Sequence, residues 1–178
     1  MPRYIAFLRA INVGGRIVKM EALRAHFESL GFTDVETFIA SGNVIFDAKG
    51  KEDALRRKIE AHLESALGHE VATFLRTPVE LDAISRFAAF DGALLASAQA
   101  LNVAFLHEPL DDDACETLMG LQTDIDEFSV SGREVYWLCR KKQSESKFSN
   151  ALFERKLKVQ ATFRGINTVR KLVEKYPA

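Results

Sequence analysis

The sequence predicts an α+β protein made of two ferredoxin-like βαββαβ units related by internal duplication, followed by a C-terminal helix. Three observations predict it. The apolar period alternates between strand-like and helix-like in the order strand, helix, strand, strand, helix, strand over residues 3–76. The same order recurs over residues 100–164. In each half a glycine, Gly42 or Gly132, falls in the short turn between the two middle strands, where a positive φ is needed.

Element by element, the first half opens with a strand at 3–9 (RYIAFLR) and a helix at 20–30, whose Met20, Leu23, Phe27 and Leu30 form one stripe ending at Gly31. Strands follow at 34–40 and 43–47, joined by Ser41-Gly42-Asn43. A helix at 51–67 lines up Leu55, Ile59, Leu63 and Leu67 before Gly68, and a strand at 71–76 completes the unit. Thr77, Pro78 and Glu80 read as cap, first position and capping box of a linking helix running to about Ala89, and DGALLASAQ reads as a small-residue connector. The second half gives strand 100–106, helix 111–120, strands 125–130 and 133–140, helix 149–157 and strand 160–164. A last helix, 166–176, turns Ile166, Val169, Leu172, Val173 and Tyr176 toward a core. The organisation is therefore a first unit at 1–77, a linking segment at 78–98, and a second unit with the C-terminal helix at 99–178.

With 178 residues and 47% hydrophobic content, the chain buries a real core. Its N-terminal apolar run is too short for a signal peptide, and no stretch approaches the roughly 18 apolar residues that span a bilayer, so a cytosolic protein without membrane contact is expected. Cys115 and Cys139 have no CxxC spacing and read as buried thiols. The net charge of −1 hides an asymmetry. The 46 residues from Arg133 hold twelve of the 24 Lys and Arg but four of the 25 Asp and Glu, a balance of +8 against −9 for the rest. That basic quarter is where an anion is expected.

Several chemistries have no motif here. GxxxxGK[ST] and GxGxxG are absent, and the four histidines, His26, His62, His69 and His107, lack metal-ligand spacing, so no cofactor or metal is expected. Asp111, Asp112 and Asp113 suit the start of a helix.

The topology gathers the remaining polar residues. In a split βαβ unit the first two strands point one way and the last two the other, so Arg9 and the Asn12-Val13-Gly14-Gly15 turn should reach the edge that holds Ser41 and Asn43. In the second unit Arg140 and Arg164 should share an edge beside the loop carrying Lys147, with Thr162, Asn167 and Thr168 flanking Arg164. An arginine fork grips a phosphate or carboxylate, a lysine adds a point charge, and a helix starting near Ser149-Asn150 offers N–H groups. The candidate ligand residues are thus Arg9, Asn12, Ser41, Asn43, Lys147, Asn150, Thr162, Arg164 and Asn167. Hairpin formation and helix capping are the alternative roles for the Asn, Ser and Thr residues among them.

RAINVGG, KMEALRAHFESLGF, SGNVIF, SKFSN and ATFRGINTVRKL, in that order, resemble the bacterial domain of unknown function 1697 family. The resemblance implies a duplicated, ferredoxin-like α+β protein and no particular activity. Ala10 stands where members usually have the glycine of RGINVGG, and the stretch before Lys19 is shorter. Gly165 and Ile166 replace the Asn and Trp of TxRNWNT.

The leading functional expectation is binding of an anionic ligand, a nucleotide or nucleic acid, through the basic C-terminal region. An enzyme acting on a small phosphorylated or carboxylated metabolite is the alternative, and a structural or protein-interaction module is the third reading. The RNA-recognition signature does not occur, and Tyr136 and Trp137 alternate along one strand, so at most one could stack on a base.

Overall fold

A computed structural model describes residues 1–12, 15–39 and 42–178. The candidate Ser41 and the centre of the Asn12–Gly15 turn lie outside the described residues.

The chain divides into two compact units, one of Met1–Leu81 with Tyr176–Ala178 and one of Asp82–Lys175. The first contains β1 (Arg3–Leu8), α1 (Met20–Ser29), β2 (Thr33–Thr37), β3 (Asn43–Asp47), α2 (Glu52–Leu67) and β4 (Thr73–Arg76). Its strands pair antiparallel in the order β2-β3-β1-β4, the ferredoxin-like arrangement that two split crossovers produce. On the helix-covered face, Tyr4, Ala6, Leu8, Val44, Phe46 and Leu75 pack with Leu23 and Phe27 of α1 and Leu55, Ile59 and Leu63 of α2. Of the expected helical stripes, Leu23, Phe27, Leu55, Ile59 and Leu63 are buried, Leu30 and Leu67 are partly buried, and Met20 is exposed. Side chains on the opposite face, Ile5, Phe7, Ile45 and Phe74, are fully buried too. At roughly 1.5–3 kcal/mol for each large apolar side chain, both faces of the sheet contribute to stability.

After α3 (Pro78–Arg86) come α4 (Gly92–Ser97), β5 (Ala100–Phe105), α5 (Asp112–Met119), β6 (Asp126–Ser131), β7 (Glu134–Cys139), α6 (Asn150–Leu157), β8 (Thr162–Gly165) and α7 (Ile166–Lys175). The second sheet has the order β6-β7-β5-β8, repeating the first and bearing out the duplication. Ala104, Trp137 and Phe163 line its core face with Leu118 and Phe153. Val103, Phe105 and Leu138 on the other face are 0% exposed. On that side the Tyr136 hydroxyl donates to the Ile84 carbonyl at 3.1 Å, and its ring stacks on Phe87.

The capping box of α3 is present, with Glu80 N–H donating to Thr77 Oγ1 at 3.2 Å and Thr77 N–H to Glu80 Oε1 at 3.1 Å. The DGALLASAQ connector departs from expectation, since most of it is α4. Asp91 caps that helix by accepting from Leu94 N–H at 2.8 Å, and six residues are too few to print a helical period. Asp111 caps α5 in the same way, accepting from Ala114 N–H.

Candidate functional site

In the first unit the end of β1 meets the β2–β3 hairpin, as the topology requires: Leu8 N–H donates to the Gly42 carbonyl at 2.9 Å. Arg9 beside it is half-buried, and its backbone N–H donates to Ala72 O. Asn43 is completely buried and ties the hairpin internally, its Nδ2 donating to Phe38 O at 2.9 Å. Asn12 is exposed, and its Oδ1 accepts from Val18 N–H at 2.8 Å, closing the loop that leads to α1. Backbone strain concentrates here. Ala10 and Ile39 both hold φ in the left-handed region, at 51° and 58°.

In the second unit Thr162 and Arg164 come together. They share one face of β8, where the guanidinium Nη1 donates to Thr162 Oγ1 at 2.7 Å and to Phe163 O at 2.9 Å. Arg164 is only 8% exposed, and that burial draws its pKa down to about 10, which still leaves it charged at neutral pH. Arg140 follows β7 at the edge where β8 also ends, and there it is paired with Glu127 at 3.1 Å and donates to Asp124 O.

Lys147 and Asn150 make contacts of their own. Lys147 borders a cleft of about 340 Å³ whose other ionisable members are Asp124, Asp126 and Glu145, acidic surroundings that suit a cation better than an anion. Asn150 Nδ2 donates to Ala161 O at 2.9 Å, anchoring α6 to the start of β8. The cap of α6 is Ser149, whose Oγ accepts from Leu152 N–H at 3.1 Å, so one of that helix's free donors is already occupied. Tyr136 and Trp137 are 2% and 6% exposed, so neither meets a base, within the expected limit of at most one.

Asn167 stands in a separate cleft of about 260 Å³, where β8 passes directly into α7. Gln99, Asn102, Gln143, Gly165 and Thr168 line it with Asn167, and the lining holds no Asp, Glu, Lys, Arg, His or Cys. Two features make it donor-rich. Gly165, immediately before α7, has no side chain to cap the helix, so the first N–H groups and the positive end of the dipole face this end. Asn102 is 7% exposed, and its Nδ2 has no hydrogen-bond partner. A buried amide donor without an acceptor costs roughly 1–3 kcal/mol, which a ligand oxygen would recover.

The sequence reading passed over Asn102. A signal existed, because it is the one polar residue in the strand Ala100–Phe105, ALNVAF. Among the described residues no group of three or more His, Cys, Asp or Glu is placed to hold a metal, and no helix is long and apolar enough to cross a membrane.

Comparison with known proteins returns family and fold. No curated protein matches the sequence. The conserved bacterial protein SP0830 from Streptococcus pneumoniae has a solved structure similar to this one, with a TM-score of 0.78 and 25% identity, covering 100% of this chain and 99% of that one. The family model described as "Protein of unknown function (DUF1697)" matches residues 1–136, about three quarters of the chain, and on that ground the chain belongs to the DUF1697 family.

Proposed function

We propose that the chain binds a small molecule through an oxyanion, a phosphate or a carboxylate, in the cleft at the start of α7. The carrying observation is the buried Asn102 Nδ2 with no partner, beside the uncapped N-terminus of a ten-residue helix. A bound oxygen would satisfy Asn102 and the first α7 N–H groups together, with Thr168 and Asn167 as further polar contacts. The volume of about 260 Å³ suits a ligand of metabolite size. Since no lining residue titrates near neutral pH, the site is read as a binding site and not as an acid–base catalyst.

Nucleic acid is the less favoured occupant. Ferredoxin-like sheets bind RNA on an open face, whereas the central strands β5 and β7 are buried on both faces.

Thermal denaturation at constant ionic strength tests the proposal, with inorganic phosphate, small phosphate monoesters and small carboxylates as probes. Phosphate stabilises many proteins non-specifically, so the comparison is between variants. Asn102→Asp keeps the shape but puts a negative charge at the helix start. Gly165→Asn fills the cleft, and its new Cβ would meet nothing closer than Asn102 Oδ1 at 3.9 Å. A saturable rise in Tm in wild type, lost in both variants, is expected. Equal rises in all three proteins would sink the proposal.

A further inference from the structure

The first unit holds a pair of side chains that neither the fold nor the proposed cleft uses. His26 on α1 and His62 on α2 bring His26 Nδ1 within 3.1 Å of His62 Nε2, across 36 residues of sequence. Their rings meet edge to face, with centroids 5.1 Å apart and planes at 63°. Both are half-buried, so the pair is held in place yet reachable from solvent.

We infer that His26 and His62 form a two-imidazole binding site for a divalent late first-row transition-metal ion. The argument begins with geometry. Metal–imidazole bonds are about 2.0–2.1 Å, and two such bonds spanning 3.1 Å meet at roughly 95–100°, the angle between neighbouring ligands in octahedral or square-planar coordination. In the metal-free protein the two nitrogens lie at hydrogen-bond distance, and an ion bound to both would sit to one side of the line joining them, so the rings turn to take it.

The ligands are also preorganised. Each histidine precedes a fully or almost fully buried anchor of its helix, Phe27 or Leu63, so the backbones cannot drift apart without opening the core. Ser29 Oγ donates to His26 O at 2.7 Å and lies 3.5 Å from His62 Nε2, at the rim of the site. Lys58, one turn before His62, is engaged by other partners, its Nζ donating to Leu30 O at 3.0 Å and resting over the Phe32 ring. No third His, Cys, Asp or Glu joins the pair among the described residues, so water completes the shell and the site stays open to exchange.

Isothermal titration of the full chain with Ni²⁺ alone, near pH 7.5 in a non-coordinating buffer, provides the test. Wild type should take up one equivalent, and binding should weaken in acid, where protons compete with the metal for its ligands. His62→Ala and His26→Gln should each weaken binding by at least about tenfold, while His107→Gln should match wild type. Circular dichroism selects the variants that fold, and either one suffices. Absence of a one-equivalent event in wild type would reduce the pair to a hydrogen bond and overturn the inference. Unchanged affinity in either folded pair variant would overturn it as well.

Discussion

The indole of Trp137 donates a 2.8 Å hydrogen bond from Nε1 to Oδ1 of Asp126, a carboxylate that is 1% exposed. Ser146 Oγ donates to both carboxylate oxygens at 2.9 Å, and Thr123 Oγ1 donates to Oδ2 at 2.8 Å. One acceptor thus ties β6, β7 and the turn before α6 together. Asp126→Ala strands the indole N–H in the core and should lower stability by about 3 kcal/mol, whereas Ser146→Ala removes one hydroxyl donor and should cost about 1 kcal/mol. Urea unfolding monitored by Trp137 fluorescence measures both. A loss below about 1 kcal/mol for Asp126→Ala would mean the network relaxes freely.

The β1 and hairpin end of the first unit carries strain that substitution should release. Ile39 is a β-branched residue at φ 58°, where Asn or Gly is at ease, and Ala10 sits at φ 51°, where glycine is at ease. Ile39→Asn and Ala10→Gly should each stabilise by roughly 0.5–1 kcal/mol, net of the greater freedom glycine gives the unfolded chain. Gly42 should behave oppositely. It combines φ 81° with a space in which a Cβ would lie 3.2 Å from Leu8 Cβ and from Ile11 Cγ2, so Gly42→Ala should cost roughly 1–3 kcal/mol. Chemical denaturation of the three variants checks the signs, and destabilisation by Ile39→Asn would refute the strain reading.

Those backbone values also show what the sequence could and could not reveal. The period of α2, with Leu55, Ile59 and Leu63 each four residues apart, follows from local geometry, and so do the caps at Thr77 and Asp111. The same holds for the duplication, because each repeat prints the same alternation. Site geometry depends on neighbours distant in sequence. Arg164 lies on the face of β8 that an alternation rule assigns to solvent, yet that face is buried, so a side chain expected to be free binds Thr162 and the Phe163 carbonyl. Asn102 faces Gly165 across a strand pair separated by 63 positions, and only the register reveals that its amide lacks an acceptor.

Acid should weaken the first unit through its histidine pair. Burial and His62 hold the His26 pKa below its ordinary value near 6.5. The folded state therefore binds fewer protons than the unfolded state in mild acid. The stability linked to His26 is complete above about pH 6.5 and is lost as pH falls through the lowered folded pKa. Urea midpoints at pH 7, 6 and 5 should fall more steeply for wild type than for His26→Gln, which has no imidazole to titrate. Parallel declines would place the acid sensitivity elsewhere.

Arg164 offers a last contrast, between two cations in one buried place. Desolvation brings its guanidinium down to about 10, far enough above neutrality that wild type keeps the charge throughout the physiological range. A lysine there begins from an ordinary pKa of about 10.4 and, drawn down by the same burial, titrates much closer to neutral pH. Its folded pKa lies below its unfolded one, so the burial penalty is complete below the folded value and is relieved as pH rises through it. Arg164→Lys should therefore be less stable than wild type at pH 7 and recover part of the difference between pH 7 and 10. It also loses the planar fork that reaches Thr162 Oγ1 and Phe163 O together, so recovery should remain incomplete. Thermal unfolding of the two proteins across that pH range measures the effect. A gap in Tm that stays constant would show that the lysine ammonium escapes to solvent and that the site does not enforce burial on whatever cation occupies it.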